Sequence, residues 1–201
     1  MLTIVNYGSG NIKAIANVYQ KLGVPFRVAR DPTELAGATR ILLPGVGIFD
    51  ETIGQLQRSG FTTELNAHVR EKGTPVLGIC VGMQIMAEGS EEGSLPGLGW
   101  IKGRVRRFDP SSGRPLPHMG WNDVHASRST PLFSQLEHSA RFYFLHSYYF
   151  ECADAASAIA ECEYGGRFSC AVQAGNVHGV QFHPEKSHRF GVQLLKNFAT
   201  I

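Results

Sequence analysis

The stretch "TPVLGICVGMQ" at positions 74–84 decides how the chain folds. Its first half is an apolar run and its second half begins a helical pattern, with one cysteine at the junction and a glycine two residues to either side. A sharp strand-to-helix turn brings backbones together at those two positions and tolerates only small residues there. The apex side chain, Cys80, is then exposed at the carboxyl edge of a sheet, where open α/β folds place their active sites. The helix start offers partial positive charge and free N–H groups to the sulfur, and both favour thiolate over thiol. The N–H of Val81 would face an oxygen held against Cys80, which is half an oxyanion hole. On the turn alone, a nucleophile and a small buried apolar side chain are equally good readings of Cys80. Cys152, Cys162 and Cys170 lie in apolar, strand-like stretches without a glycine turn and read as core.

Working outward, the first half alternates between short apolar runs and helical periodicity. Strands are expected at 2–5, 25–30, 39–44 and 74–80, and helices at 11–22, 48–58, 61–72 and 83–88. Such alternation argues for a parallel sheet covered on both faces. From Trp100 onward strands dominate in "IKGRVRRF", "RFYFLHSYYF", "SAIAECEY", "FSCAVQAG" and "VHGVQFH", and "HRFGVQLLKNFATI" closes the chain as a helix. The expectation is one α/β domain over 1–201, a mostly parallel central sheet flanked by helices, with an antiparallel elaboration in the C-terminal half.

Composition narrows the class. Among 201 residues, 43% are hydrophobic and 18% charged, enough for one continuous core. A formal net charge of +2 gives no argument for a nucleic-acid or membrane partner. The four cysteines show no C-x-x-C pair or zinc spacing, and His118, His125 and His138 form no metal pattern. The absence of a leader or a long apolar run points to the cytosol with reduced thiols. "YGSGN" at 7–11 lacks the third glycine of a dinucleotide loop and any Walker lysine, so it reads as a tight turn. Lys102, Arg104 and Arg106 fall on one face of a strand and read as a solvated face.

A cysteine nucleophile needs a base, and the base needs a third group to hold its ring. "GVQFHPEKS" at 179–187 offers both: His183 and Glu185 are two apart, so extended backbone projects them to one side. Pro184 suits a chain leaving a strand, and His183 ends an apolar run, which puts it at a strand terminus. "GICVGMQ" together with "QFHPEKS" resembles the triad, or class-I, glutamine amidotransferases. The resemblance implies the family's three-layer fold, Cys80 as nucleophile on the amide of L-glutamine, His183 as general acid/base and Glu185 as its orienting partner. "LLPGVG" at 42–47 is similar to the family's glycine loop. It implies backbone donors at Val46 and Gly47 beside Val81, with Gly45 in the substrate loop. Gln84, Ser147 and Tyr148 match the positions that hold glutamine. Glu92 matches the acidic position by spacing, with Glu91 adjacent.

"NYGSGN", "GMQ", "MGWN", "FLHSY" and "HPEKS", in that order, closely resemble the glutaminase subunits of imidazole glycerol phosphate synthase, across essentially the whole chain. The resemblance implies that the heterodimer partner is a separate cyclase subunit with the (β/α)₈ barrel fold, and that there is no cofactor. Ammonia would pass to that subunit, which converts a phosphoribulosyl-formimino carboxamide ribonucleotide (PRFAR) to imidazole glycerol phosphate and AICAR in histidine biosynthesis. Asn11, Trp121 and Tyr143 lie in or beside the matched motifs and would face the partner, although Trp121 could equally be core. The alternatives are the glutaminase of an anthranilate or GMP synthase, a hydrolase of γ-glutamyl bonds, and a non-catalytic regulatory subunit.

Overall fold

The computed structural model describes residues 1–136 and 140–201, so His138 lies outside the described residues. In chain order the elements are β1 (Leu2–Val5), α1 (Ile12–Lys21), β2 (Phe26–Ala29), β3 (Arg40–Gly45), α2 (Phe49–Arg58), α3 (Phe61–Arg70), β4 (Val76–Cys80) and α4 (Val81–Gln84). There follow β5 (Gly89–Ser90), β6 (Gly103–Arg107), β7 (His118–Ala126), β8 (Ala140–His146), β9 (Tyr148–Cys152), β10 (Ala158–Glu163), β11 (Arg167–Ala174), β12 (Val177–Val180) and α5 (His188–Phe198).

The sheet runs β2-β1-β3-β4-β12-β11-β10-β7-β8, with β9 pairing β11 and β6, and β5 pairing β6. The pairings from β2 to β12 are parallel and those from β12 to β8 antiparallel. The buried patterns of β1, β4 and β12 fit strands covered on both faces. The crossover through α1 moves outward to β2, whereas that through α2 and α3 moves the other way to β4. Right-handed connections then put α1 and the α2–α3 pair on opposite faces, which makes three layers. Tyr19 of α1 donates its hydroxyl to the Leu195 carbonyl at 3.1 Å and joins α1 to α5.

Three sequence expectations change. The helix expected at 83–88 is a single turn, Val81–Gln84, beginning directly after Cys80. Its later carbonyls are satisfied from outside: Leu98 N–H donates to Ile85, Trp100 and Ile101 to Met86, and Gly99 to Ala87. The returning loop does the work of a longer helix. The run "RFYFLHSYYF" divides at Ser147 into β8 and β9, which join different neighbours. Strand β7 has no counterpart among the expected elements. It buries His118 and Val124 but exposes Met119 and Trp121, so its two largest apolar side chains sit on the solvent side while a histidine points inward, and the usual alternation is lost.

His118, His146 and His178 are buried. Burial pushes His118 down to about 4, His146 to about 3 and His178 to about 4. A ring lowered in the fold is neutral there. Its contribution to stability is therefore complete above its unfolded value near pH ~6.5 and is lost as pH falls toward the folded value. Urea unfolding between pH 7 and 4 should show stability falling with acid in the wild type. The slope should be smaller, by about one proton, in His118→Phe. Identical slopes for the two proteins would show that His118 is not held neutral by the fold.

Candidate active site

The site forms where β3, β4 and β12 end side by side. Gly45 pairs with Cys80, and Ile79 pairs with Val180. Continuing that register by one residue places Gln181 beside Cys80, and two further brings His183 over it. Cys80 has φ +56° and ψ −117°, a strained conformation for a side-chain-bearing residue. The flanking glycines explain the quoted stretch. A Cβ on Gly78 would meet Met86 Cε at 2.6 Å and Gly82 O at 2.7 Å, and one on Gly82 would run into the Leu43 carbonyl. Because α4 is one turn long, it offers Cys80 its first N–H groups rather than a long macrodipole.

His183 Nδ1 lies 2.9 Å from Glu185 Oε1, both side chains being almost fully buried. The His183 main chain is fixed to β8: its N–H donates to Tyr143 O at 2.9 Å, and the Ser187 hydroxyl donates to its carbonyl at 2.6 Å. Burial works against a charged imidazole here. Hydrogen bonds with Cys80 and Glu185 and their negative charge outweigh burial and raise His183 well above its ordinary value. His183 therefore stands as an imidazolium between a sulfur and a carboxylate. Burial pushes the thiols of the remaining cysteines up, Cys152 to about 11, Cys162 to about 12 and Cys170 well above the ordinary value, so they stay protonated and inert.

A cavity of about 310 Å³ opens over Cys80 and His183. Val46, Gly47, Val81, Gln84, Glu92, Ser147 and Tyr148 line it, as do Pro117, Leu145, His146 and Lys186. Gly45 does not; it lies under the turn, where a Cβ would press on Gly82 N. Glu92 and Glu91 part company. Glu92 faces the cavity, accepts from Phe49 N–H at 2.9 Å, and is raised chiefly by burial. Glu91 is on the surface, paired with Arg106 at 2.8 Å. Val46 N–H donates to Ser9 Oγ at 2.9 Å, and the Ser9 hydroxyl in turn donates to Val46 O. In this arrangement the Val46 N–H is not free for a substrate oxygen.

Asn11 reaches the triad: its Nδ2 lies 3.5 Å from Glu185 Oε1. Trp121 is half-exposed, stacks on His188 at 5.2 Å and meets the Tyr143 ring edge-on at 6.3 Å. Several contacts escaped the sequence reading. Tyr7 donates to Pro44 O at 2.7 Å under the glycine loop. His146 hydrogen-bonds the Tyr148 carbonyl at 2.7 Å and His118 at 3.0 Å. Gln181 contacts both Gln84 and Cys80. Gln181 carried a signal in its same-side spacing two residues before His183, and Tyr7 and His146 lie within the matched "NYGSGN" and "FLHSY". Among the described residues no His, Cys, Asp and Glu side chains are grouped to hold a metal ion.

The class-I glutamine amidotransferase family matches residues 3–201. The sequence is 56% identical to imidazole glycerol phosphate synthase subunit HisH of Bdellovibrio bacteriovorus over 100% of both chains. It is 48% identical to the protein of the same name from Leptospira interrogans, again over 100% of both. Among solved structures, PurLQS from Thermotoga maritima superposes with a TM-score of 0.76 at 19% identity, covering 99% of this chain and 97% of that one. The glutaminase domain of Trypanosoma brucei CTPS gives 0.66 at 16% identity, covering 99% and 93%. At such identities the two structures speak for the fold alone.

Replacing Glu185 by Gln keeps the acceptor for His183 Nδ1–H but removes a negative charge that favours the imidazolium. The ring should then lose its proton at lower pH than in the wild type. NMR titration of the His183 ring measures this, and an unmoved midpoint would show that Glu185 does not support the charge.

Proposed function

The chain belongs to the class-I glutamine amidotransferases, and from that premise we propose how its residues carry out the work of a glutaminase subunit of imidazole glycerol phosphate synthase in histidine biosynthesis. The observation that carries the reading is the convergence of Cys80, His183 and Glu185 at one sheet edge, under a cavity large enough for one amino acid.

In this reading the Cys80 thiolate attacks the side-chain amide carbon of L-glutamine, and negative charge moves to the amide oxygen. The N–H groups of Val81, the first residue of α4, and of Gly47 are the available donors for that oxygen. Val46 would join them only if its N–H left Ser9. His183, already an imidazolium, gives its proton to the departing nitrogen, and ammonia leaves a thioester on Cys80. His183, now neutral, takes a proton from water as the water attacks the thioester. Glutamate then departs and the thiolate returns. Glu185 holds the ring and balances its charge throughout. Gln84 and the Ser147–Tyr148 main chain hold the amino-acid end of the substrate, and Glu92 supplies the carboxylate for its α-ammonium.

The cyclase subunit is proposed as the partner that receives the ammonia. The cavity mouth supports this. Val46, Ile48, Met119, Trp121 and Leu145 are all large apolar residues left exposed around or beside it. A partner seated there would cover the cavity and keep ammonia from solvent. Asn11 and Tyr143 lie beneath that face, tied to Glu185 and Trp121.

Cys80→Ser should abolish glutamate production from glutamine while leaving synthesis from free ammonia by the complex intact. Undiminished glutaminase activity in that variant would remove the triad assignment. Trp121→Ala should weaken binding to the cyclase subunit roughly ten- to hundredfold in a titration. Unchanged affinity would move the interface elsewhere.

A further inference from the structure

Gln181 belongs to the matched "QFHPEKS" stretch, yet the triad chemistry gives it no part. It is fully buried, at 0% exposure. Its Nε2 lies 3.8 Å from Cys80 Sγ, and its Oε1 accepts from Gln84 Nε2 at 3.0 Å. The direction of these bonds follows from one carbonyl. The Tyr148 main-chain oxygen can only accept, and it receives His146 Nδ1–H at 2.7 Å and Gln84 Nε2–H at 3.1 Å. Gln84 must therefore turn its nitrogen toward that oxygen, and the second N–H of the same nitrogen then faces Gln181. Gln181 can meet it only with oxygen, which leaves its own N–H for the sulfur. Turning the Gln181 amide over would set N–H against N–H in a buried contact, with the loss of a hydrogen bond there.

We propose that Gln181 is a further catalytic residue: its carboxamide donates a hydrogen bond to the Cys80 thiolate, points the sulfur toward the cavity, and joins the nucleophile to Gln84 in the substrate pocket. This rests on the reading of Cys80 as nucleophile. A donor on sulfur favours the anion over the thiol, because only the anion gains fully from it. The parallel register keeps the donor in place, since Gln181 follows Val180 as Cys80 follows Ile79. The Gln181 main chain is also held, its N–H on Cys170 O at 2.8 Å. Other groups face the same sulfur or its cavity. His183, with Glu185 behind it, is the cation; Tyr7 is buried beneath; Glu92, Lys186 and His146 stand around the opening.

The test is the pH dependence of Cys80 alkylation by iodoacetamide, located by peptide mass spectrometry, in the wild type, Gln181→Glu and Gln181→Met. Gln181→Glu keeps the shape and the acceptor for Gln84 but turns an oxygen on the sulfur. Gln181→Met keeps the volume and removes both polar atoms. In both variants the midpoint of alkylation should move up by about one pH unit, with roughly a tenfold slower reaction below it. Glutaminase kcat should fall in parallel, and synthesis from free ammonia by the complex should be retained. A merely structural role would not move the alkylation midpoint. If Gln181→Glu fails to fold, Gln181→Met decides. A wild-type midpoint retained in folded variants overturns the role of Gln181 and leaves the triad standing. A wild-type Cys80 no more reactive than Cys152 overturns the triad reading, and this one with it.

Discussion

The parallel register of β3, β4 and β12 is the constraint on which the site depends. It ends three strands together, so that Gly45, Cys80 and Gln181 fall in one row with His183 just beyond. None of the three reactive side chains is near another in sequence except His183 and Glu185. Their meeting is a property of strand pairing. The strained backbone at Cys80 is tolerated because the turn is locked from both sides, by Leu43 against Gly82 and by Met86 against Gly78.

Around this row the polar groups are arranged by what each can and cannot donate. The Tyr148 carbonyl fixes Gln84, Gln84 fixes Gln181, and Gln181 faces the sulfur. On its other side the same carbonyl takes the proton of His146, whose second nitrogen accepts from His118 Nδ1, while Asn122 Nδ2 donates to His118 Nε2. Along this chain from β7 to Cys80 every donor meets an acceptor, with the Tyr148 carbonyl receiving from both sides. In an interior where an unmade hydrogen bond is expensive, such consistency leaves the pocket little freedom to rearrange.

Histidine takes opposite charge states within a short distance. Among the described residues His146 and His118 have no carboxylate partner, so burial decides and keeps them neutral. His183 suffers the same burial but has Glu185 on one nitrogen and Cys80 beside it, so the charged form wins. The positive charge on His183 also presses on His146 and helps to keep it neutral. One residue type thus supplies both an acid and a fixed scaffold, separated by the presence or absence of an anion.

Much was legible in the sequence. The elbow followed from glycine spacing, since close backbone approach and a strained apex have a local signature. The parallel first half followed from periodicity, and the pairing of His183 with Glu185 from the two-residue repeat of extended chain. Strand β7 was not legible, because Trp121 and Met119 put apolar surface toward solvent. Nor was the shortness of α4, after which the carbonyls of Ile85, Met86 and Ala87 are satisfied by a loop more than ten residues away. The tertiary structure alone decided that Glu92 rather than Glu91 faces the cavity, that Val46 N–H is held by Ser9, and that Gln181 lies against Cys80. The sequence by itself determined which residues could do the chemistry, because turns and alternation are set by neighbours along the chain. Which of them touch was left to the sheet, because strand register and the direction of buried hydrogen bonds are set between segments far apart in sequence.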